Sequence, residues 1–476
     1  MTRPRFFLCG AAAMLAAVMA LDAAEPRAVA YAVRGAMIHT AAGAPITSGT
    51  VVLRNGLIEA VGASVAVPAD AIAIAGSGLH VYPGLIDMAN GAAIAGAEPA
   101  DAGAGGRGGG GEAQFDNREE AERAKRAALL RPDFLAADNL STRGEALSAL
   151  ASAGVTTVLA VPGQGIFKGQ SALVNVALPP DDPQISNVGD YRKGLAVIRS
   201  PVAMHIDMAG RGGGPGYPQA LLGTIAFTKQ GLLDAAWQRE ARVHYARGGP
   251  GQRPAFEPAL DALVPVLERQ MPAAFDAGAA REIDRALAMA AEFNLDPIIV
   301  GASGAASRTA ELATAKARVI LSLNFPGGGQ AGTGSGRGGR GGGAAPSLRQ
   351  LREQADAPNT PAALAAAGVP FAFTSGGASP ADFVRNAGRV VRDGGLSAEA
   401  ALAALTIDAA RMAGAAARTG SIETGKAATI IVTSGDLFDG GQIRHVFVDG
   451  FSVDITPPAP QGGGRGGRGG VRKWTP

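Results

Sequence analysis

His205 and Asp207 form a His-x-Asp pair near the end of an apolar run, Leu195–Met208. If that run is a strand, its period-two geometry puts both side chains on one face. An imidazole and a carboxylate so placed could ligate a metal or work as base and acid. Asp276 ends a second apolar run, Pro272–Asp276, and is the third candidate. The plainer reading is a satisfied polar pair beneath a loop. Asp87 could also project near those strand ends, where a structural, hydrogen-bonding carboxylate is the favoured role.

The remaining histidines offer less. His39 and His445 fall in β-rich segments near the two chain ends, and His80 begins a strand candidate, far from its distal end. All three read as framework or surface positions, and His244 as solvated. Cys9 is the single cysteine, and it lies in a segment expected to be removed. The mature chain then has no disulfide, thiol nucleophile or cysteine-bound metal. No Gly-x-Ser-x-Gly occurs, so a serine hydrolase of the nucleophile-elbow type has no support.

Two motifs mislead. Gly420-Ser-Ile-Glu-Thr-Gly-Lys426 fits seven positions of a phosphate-binding loop, but Ala427 replaces the Mg²⁺-binding hydroxyl. It also leads into a strand, whereas a P-loop follows a strand and opens a helix. Arg-Gly-Gly recurs at Arg107, Arg211, Arg247, Arg337, Arg340, Arg465 and Arg468 without interleaved aromatic residues. With 43 basic against 41 acidic residues, a net charge of +2, nucleic-acid binding gains nothing from charge.

The elements that must position the candidates follow from patterning. Apolar residues make up 47% of 476 and charged ones 18%, enough for a large core. Arg3 and Arg5 precede the apolar run Phe6–Leu21, which ends in small residues. That is a secretory signal peptide, expected over 1–23, so the chain is expected to be exported, to a periplasm, with no anchor after cleavage. Thr50 to Val61, broken at Asn55-Gly56, reads as a β-hairpin with a type I′ turn. Ala428–Thr433 and Ile443–Val448 read as strands near the other end.

Between these flanks, apolar runs alternate with helical patterns. The strand candidates are His80–Ile86, Val155–Val161, Leu195–Met208, Pro272–Asp276, Pro297–Val300, Val319–Asn324 and Val369–Thr374. Arg281–Phe293 has apolar residues at helical spacing. The expected fold class is therefore α/β, a distorted (β/α)8 TIM barrel plus a small β-sandwich domain. A doubly wound open sheet gives a similar pattern. Glycine, 69 residues, is concentrated in inserts at 101–113, 209–216, 247–252 and 326–345 and in the Gly/Arg-rich tail 457–476. These are expected to be mobile loops or disordered segments, the inserts lying over the barrel mouth.

Gly43 to Gly62, followed by Val81-Tyr-Pro-Gly-Leu-Ile-Asp87, resembles the amidohydrolase superfamily, in its imidazolonepropionase-like and dihydroorotase-like branch. Leu405 to Gly414 is similar to that family's helix after the last barrel strand, and Val446 to Gly450 to its closing strand. Gly420 to Thr429 resembles its Gly-Ser-Ile-x-x-Gly-Lys-x-Ala-Asp turn, with Thr429 for the usual Asp. The resemblance implies a split β-sandwich, residues 28–80 with 416–456, around a barrel, residues 81–415. It also implies a hydrolase of non-peptide carbon–nitrogen bonds that uses Zn²⁺ or a similar metal.

The implied metal ligands are missing. Two histidines would stand at Ala89 and Gly91, others at Asp276 and Gly301, and an aspartate at Gly376, or at Ser375 if the register slips by one. No counterpart of the bridging lysine is evident near His205. The expectation is thus an amidohydrolase-like protein with impaired catalysis and no bound metal. The alternative is a metal-free pseudoenzyme that binds a small-molecule ligand. It could form a homo-oligomer or serve as scaffold partner of an active amidohydrolase.

Overall fold

The computed structural model describes residues 30–95, 117–141, 145–176, 190–192, 195–208, 218, 220–325, 355–453 and 455. The expected signal peptide, the tail and the inserts at 101–113, 209–216 and 326–345 lie outside these. The insert at 247–252 is described, and there Gly248 and Gly251 take left-handed φ of 80° and 130° after the helix Leu221–Ala246.

Five strands come first: β1 (Ala30–Ile38), β2 (Ile46–Arg54), β3 (Leu57–Gly62), β4 (Ala71–Ala75) and β5 (Leu79–Pro83). The β2–β3 hairpin turns at Asn55 (φ 52°) and Gly56 (φ 76°), the positive pair that a type I′ turn requires. The expected strand His80–Ile86 is in fact two, because Gly84 divides β5 from β6 (Leu85–Asn90) and the two belong to different sheets. A Cβ on Gly84 would lie 2.1 Å from Thr156 Oγ1 and 2.8 Å from Thr429 Cγ2. Only glycine lets the chain cross there.

Next come β7 (Val155–Ala160), β8 (Phe167–Gln170), β9 (Ala172–Asn175), β10 (Asp190–Arg192) and β11 (Leu195–Arg199). They are followed by β12 (Met204–Asp207), β13 (Ala273–Ala277), β14 (Pro297–Gly301), β15 (Arg318–Ser322) and β16 (Phe371–Thr374). One sheet runs β10-β11-β9-β7-β6 and another β16-β15-β14-β13-β12-β8. Strands β12 to β16 are all parallel, as are β6 and β7. Only Ser171 separates β8 from β9, so a single stretch of chain serves both sheets.

That stretch departs from the expected strand–helix alternation. Both β8 and β9 run antiparallel to their neighbours. Antiparallel neighbours can be joined by short turns, whereas parallel ones need a crossover, usually a helix. No helix is therefore needed between β7 and β12, and none occurs there among the described residues. The expected strand Leu195–Met208 likewise divides, into β11 and β12. Further along, the helix Ala280–Glu292 bears out the helical pattern, burying Ile283, Ala286, Met289 and Ala290.

Alternate residues of both sheets meet in one apolar cluster that includes Ile86, Met88, Leu159, Leu173, Ala274, Ile298, Val300, Ile320 and Ala372. The opposite faces pack under the helices, with Phe275, Ile299, Val319 and Phe373 among the buried residues. Side chains facing the shared cluster are therefore the ones the two sheets hold in common.

The chain ends with β17 (Ile430–Ser434), β18 (Gln442–Val448) and β19 (Phe451–Val453). β17 pairs antiparallel with β5, so strands from both ends form one eight-stranded sheet. Asp449 (φ 48°) and Gly450 (φ 80°) turn the β18–β19 hairpin. Asp449 is buried and accepts a 2.7 Å hydrogen bond from Asn175 Nδ2, which ties this hairpin to β9.

Burial raises the Asp449 carboxyl to about 6, although Asn175 and Arg418 pull the other way. The unfolded carboxyl releases its proton near 3.8 and the folded one near 6. Its contribution to stability is therefore complete below pH 3.8 and lost as pH rises to 6, up to about 3 kcal/mol. Asparagine tolerates the same backbone and keeps an acceptor for Asn175. Asp449→Asn is expected to raise the unfolding free energy by about 1–2 kcal/mol at pH 7 and to remove that slope. Urea denaturation from pH 4 to 7 checks it, and identical profiles for variant and parent would refute it.

Candidate functional site

Parallel strands end on the same side of a sheet, so the ends of β6 and β12 to β16 gather the candidate residues. The β12–β13 register pairs Asp207 with Asp276, and His205 with Ala274 two pairs deeper. Ala274 belongs to the shared apolar cluster, so His205, Asp207 and Asp276 face the same interior. The structure thus gathers the three candidates on adjacent strands, at two depths.

Their fourth neighbour was not among the candidates read from the sequence. Lys168 sits in β8, at the irregularity where the β8–β12 register shifts, and its Nζ forms an ion pair with Asp276 Oδ2. The reversed β8 therefore carries an ammonium group to the strand ends from the opposite direction. Gly169 (φ 116°) allows this, because a Cβ there would lie 2.5 Å from Phe134 O.

His205 has no exposed surface. Its Nε2 lies 3.0 Å from Ser171 Oγ, and Ser171 donates its own proton to Ala203 O at 3.3 Å. Ser171 must then accept, so His205 carries its hydrogen on Nε2. Nδ1 is buried with no hydrogen-bond partner among the described residues. Burial pushes this imidazole down to about 4, with Asp276 opposing and Lys168 reinforcing the shift.

Asp87, also fully buried, joins the two outer strands of this arrangement. Oδ1 accepts from Thr374 Oγ1 at 2.8 Å and from Ser375 N–H at 3.0 Å, and Oδ2 from Asn90 Nδ2 at 2.8 Å. Thr374 Oγ1 also lies 2.9 Å from Ala89 O. These contacts tie the end of β6 to the end of β16, the work of a structural carboxylate.

A divalent metal does not fit the strand ends. Ala89, Gly91 and Gly301 supply no ligating side chain, and Asp276 is already paired with a cation. An aspartate at Gly376 would be strained, since φ is 57° and an added Cβ would lie 2.0 Å from Ser322 Oγ and 2.9 Å from its Cβ. Gly301 also has positive φ, 92°, where any side chain is strained.

Elsewhere, Lys426 bonds its own turn, reaching Ser421 and Glu423 at 2.6 Å, and the segment leads into β17 without opening a helix. His244 is exposed in the helix Leu221–Ala246. His80 lies in β5, not in a strand leading to the candidate site. Among the described residues, the group placed to hold a metal is His39, His80 and Asp436, in the eight-stranded sheet.

Comparison with known proteins agrees with this architecture. Residues 347–453 match the amidohydrolase family. An amidohydrolase from Thermotoga maritima MSB8 shares the fold at a TM-score of 0.65 and 21% identity, covering 89% of this chain and 99% of its own. A prolidase solved with N-methylphosphonate-L-proline gives 0.50 and 16%, with the same coverage. No curated protein matches. The family match is confined to that one segment, while the likeness in fold runs along most of the chain.

Proposed function

We propose that this is an exported amidohydrolase-superfamily protein that has left metal-dependent hydrolysis of carbon–nitrogen bonds and holds a small polar ligand at its strand ends. One observation carries the reading: a lysine ammonium is paired with Asp276, the one implied ligand position that kept a donor side chain. Lys168 supplies a fixed positive charge at the site, and a divalent cation binding Asp276 would have to displace it. The side chains of Lys168 and Asp276 stay 14% and 26% exposed, enough for a ligand to reach both. An ammonium beside a carboxylate suits a molecule presenting both an acceptor and a donor, such as an amide.

In this reading residues 81–415 form a distorted barrel, the two sheets closing where Asp87 bridges β6 and β16. Residues 28–80 and 416–456 form the small β-domain. A signal peptide over 1–23 directs export, and no helix among the described residues is long and apolar enough to cross a membrane. Ligand binding, self-association or pairing with an active relative is the role left to such a chain. A repurposed hydrolase built on His205, Asp207 and Asp276 is disfavoured, because an imidazole with no exposed surface cannot reach a substrate.

The test is zinc content of untagged mature protein by mass spectrometry, after Zn²⁺ loading and dialysis, beside an Asp276→Asn variant. The expected zinc content is the same in both, with no zinc-stimulated hydrolysis of an N-acyl amino acid panel. Zinc or hydrolysis present in the parent and lost in Asp276→Asn would overturn the proposal. An Ala89→His, Gly91→His double variant is expected to gain no zinc-dependent turnover, since Gly376 leaves the general base missing. Measurable turnover there would be the contrary result.

His205 supplies a test of its own. The unfolded imidazole takes up its proton near 6.5 and the folded one near 4. Its stability contribution is complete above pH 6.5 and lost as pH falls toward 4, about 3 kcal/mol in all. His205→Gln is expected to abolish that acid-side loss. A constant stability difference between parent and variant across pH 4–7 would count against a buried, neutral His205.

A further inference from the structure

Two histidines that the sequence left as framework positions meet an aspartate at the seam where the chain's two ends join. His39 follows β1, and His80 lies in β5, which pairs in parallel with β1 through Met37↔His80 and Ile38↔Val81. The same β5 pairs with β17 through His80↔Thr433, and Asp436 lies just beyond β17. His39 N–H donates to Val81 O at 2.8 Å, which fixes the backbone from which its ring projects.

The side chains converge. His39 Nε2 and His80 Nδ1 are 3.1 Å apart, and one ligand atom from each histidine and from Asp436 all lie within 4.8 Å of one another. Two nitrogens bound tetrahedrally to Zn²⁺ at its usual bond length stand about 3.3 Å apart. The histidine pair is already at that spacing. Asp436 Oδ1 is used by the backbone, accepting from Phe438 N–H at 2.8 Å, while Oδ2 faces Tyr82 OH at 3.4 Å.

Tyr82 completes the arrangement from outside. Its ring stacks on His39 with centroids 4.3 Å apart and planes 8° from parallel, holding the imidazole plane in place. Its hydroxyl accepts from Leu437 N–H at 3.2 Å and lies 3.3 Å from His80 Nδ1. The stacking orients His39 before a metal arrives, and an ion would take the place of the hydroxyl's contact with His80 Nδ1. All three ligand residues are half-buried, so an ion can enter and a fourth position stays open to water.

We propose that His39, His80 and Asp436 form a transition-metal site of the Zn²⁺ class. The ion joins β1 and β5, from one end of the chain, to the turn after β17 from the other. It is distinct from the strand-end site, and the proposal does not rest on the reading given for that site. Its role is to clip the split sheet closed, stabilising the folded state by binding it and not the separated ends.

The test uses untagged mature protein stripped with a chelator, then titrated with Zn²⁺ against a chromophoric competitor. One equivalent is expected to bind, with affinity lowered about tenfold or more in His39→Ala, His80→Ala and Asp436→Asn. His445→Ala, in the same sheet, is expected to bind as the parent does. At about a hundredfold excess over Kd, Zn²⁺ should raise Tm by a few degrees in the parent and not in His39→Ala. Circular dichroism shows whether each variant is folded, and Asp436→Asn serves if a histidine variant is not. No stoichiometric binding by the parent, or equal binding by the Asp436→Asn and His39→Ala variants, would overturn the site. Zinc lost in Asp276→Asn instead would count against the strand-end reading and place the metal there.

Discussion

The antiparallel ladder between β5 and β17 is the constraint from which the rest of the molecule follows. It runs from Pro83↔Ile430 to Leu79↔Ser434 and joins segments of chain that are remote in sequence. Closing a flexible loop of roughly 350 residues costs about 5 kcal/mol in chain entropy. The ladder's hydrogen bonds, each contributing about 1 kcal/mol net, leave little surplus over that cost. Burial does more, because the closed sheet covers Val33, Ile38, Val51, Leu53, Ile58, Val81, Ile430, Val432 and Phe447. One residue beyond the ladder, Gly84 passes between Thr156 and Thr429, so the same pairing that joins the chain ends also aims β6.

A fold can persist independently of the chemistry at its site. Asp87 binds the ends of β6 and β16, Asn175 binds Asp449, and neither arrangement uses a metal. The side chains of Ala89, Gly91, Gly301 and Gly376 take no part in these contacts. At Gly376 the backbone is left-handed, and a Cβ there would crowd Ser322. The partly exposed Lys168–Asp276 pair contributes little stability. Its effect is electrostatic, a positive charge held at the strand ends by β8.

What the sequence disclosed depended on whether the determining interactions were local. Asn55-Gly56 announces its hairpin because the turn needs two positive φ angles and those residues supply them. The helix Ala280–Glu292 and strands β13 to β16 show in apolar periodicity, since each buries one face or both. The reversed β8–β9 stretch, Phe167–Asn175, was not among the strand candidates. Gly169 is there for close approach to Phe134 O, which only the folded chain shows. A lysine between Phe167 and Gly169, with an apolar run following, was the signal on offer. His39, His80 and Asp436 carried none, because their meeting depends on the register of β1 with β5 and of β5 with β17. Period-two patterning sets which face a residue takes, not which distant residue it meets.

The interior beneath the strand ends holds a buried imidazole that apolar packing alone does not call for. His205 stands at a level where the facing cluster is apolar, with Ala274, Leu173 and Ile298 around the same core. A leucine or methionine there would bury apolar surface without leaving Nδ1 unpaired, a deficit that costs on the order of 1–3 kcal/mol. Keeping the imidazole therefore requires compensation nearby. Ser171 provides part of it, through the Nε2 hydrogen bond at the junction where β8 passes into β9. That bond fixes the point at which the chain leaves one sheet for the other, three residues from Lys168. The buried histidine thus acts on the site through the backbone: it anchors the junction from which β8 carries its ammonium to Asp276.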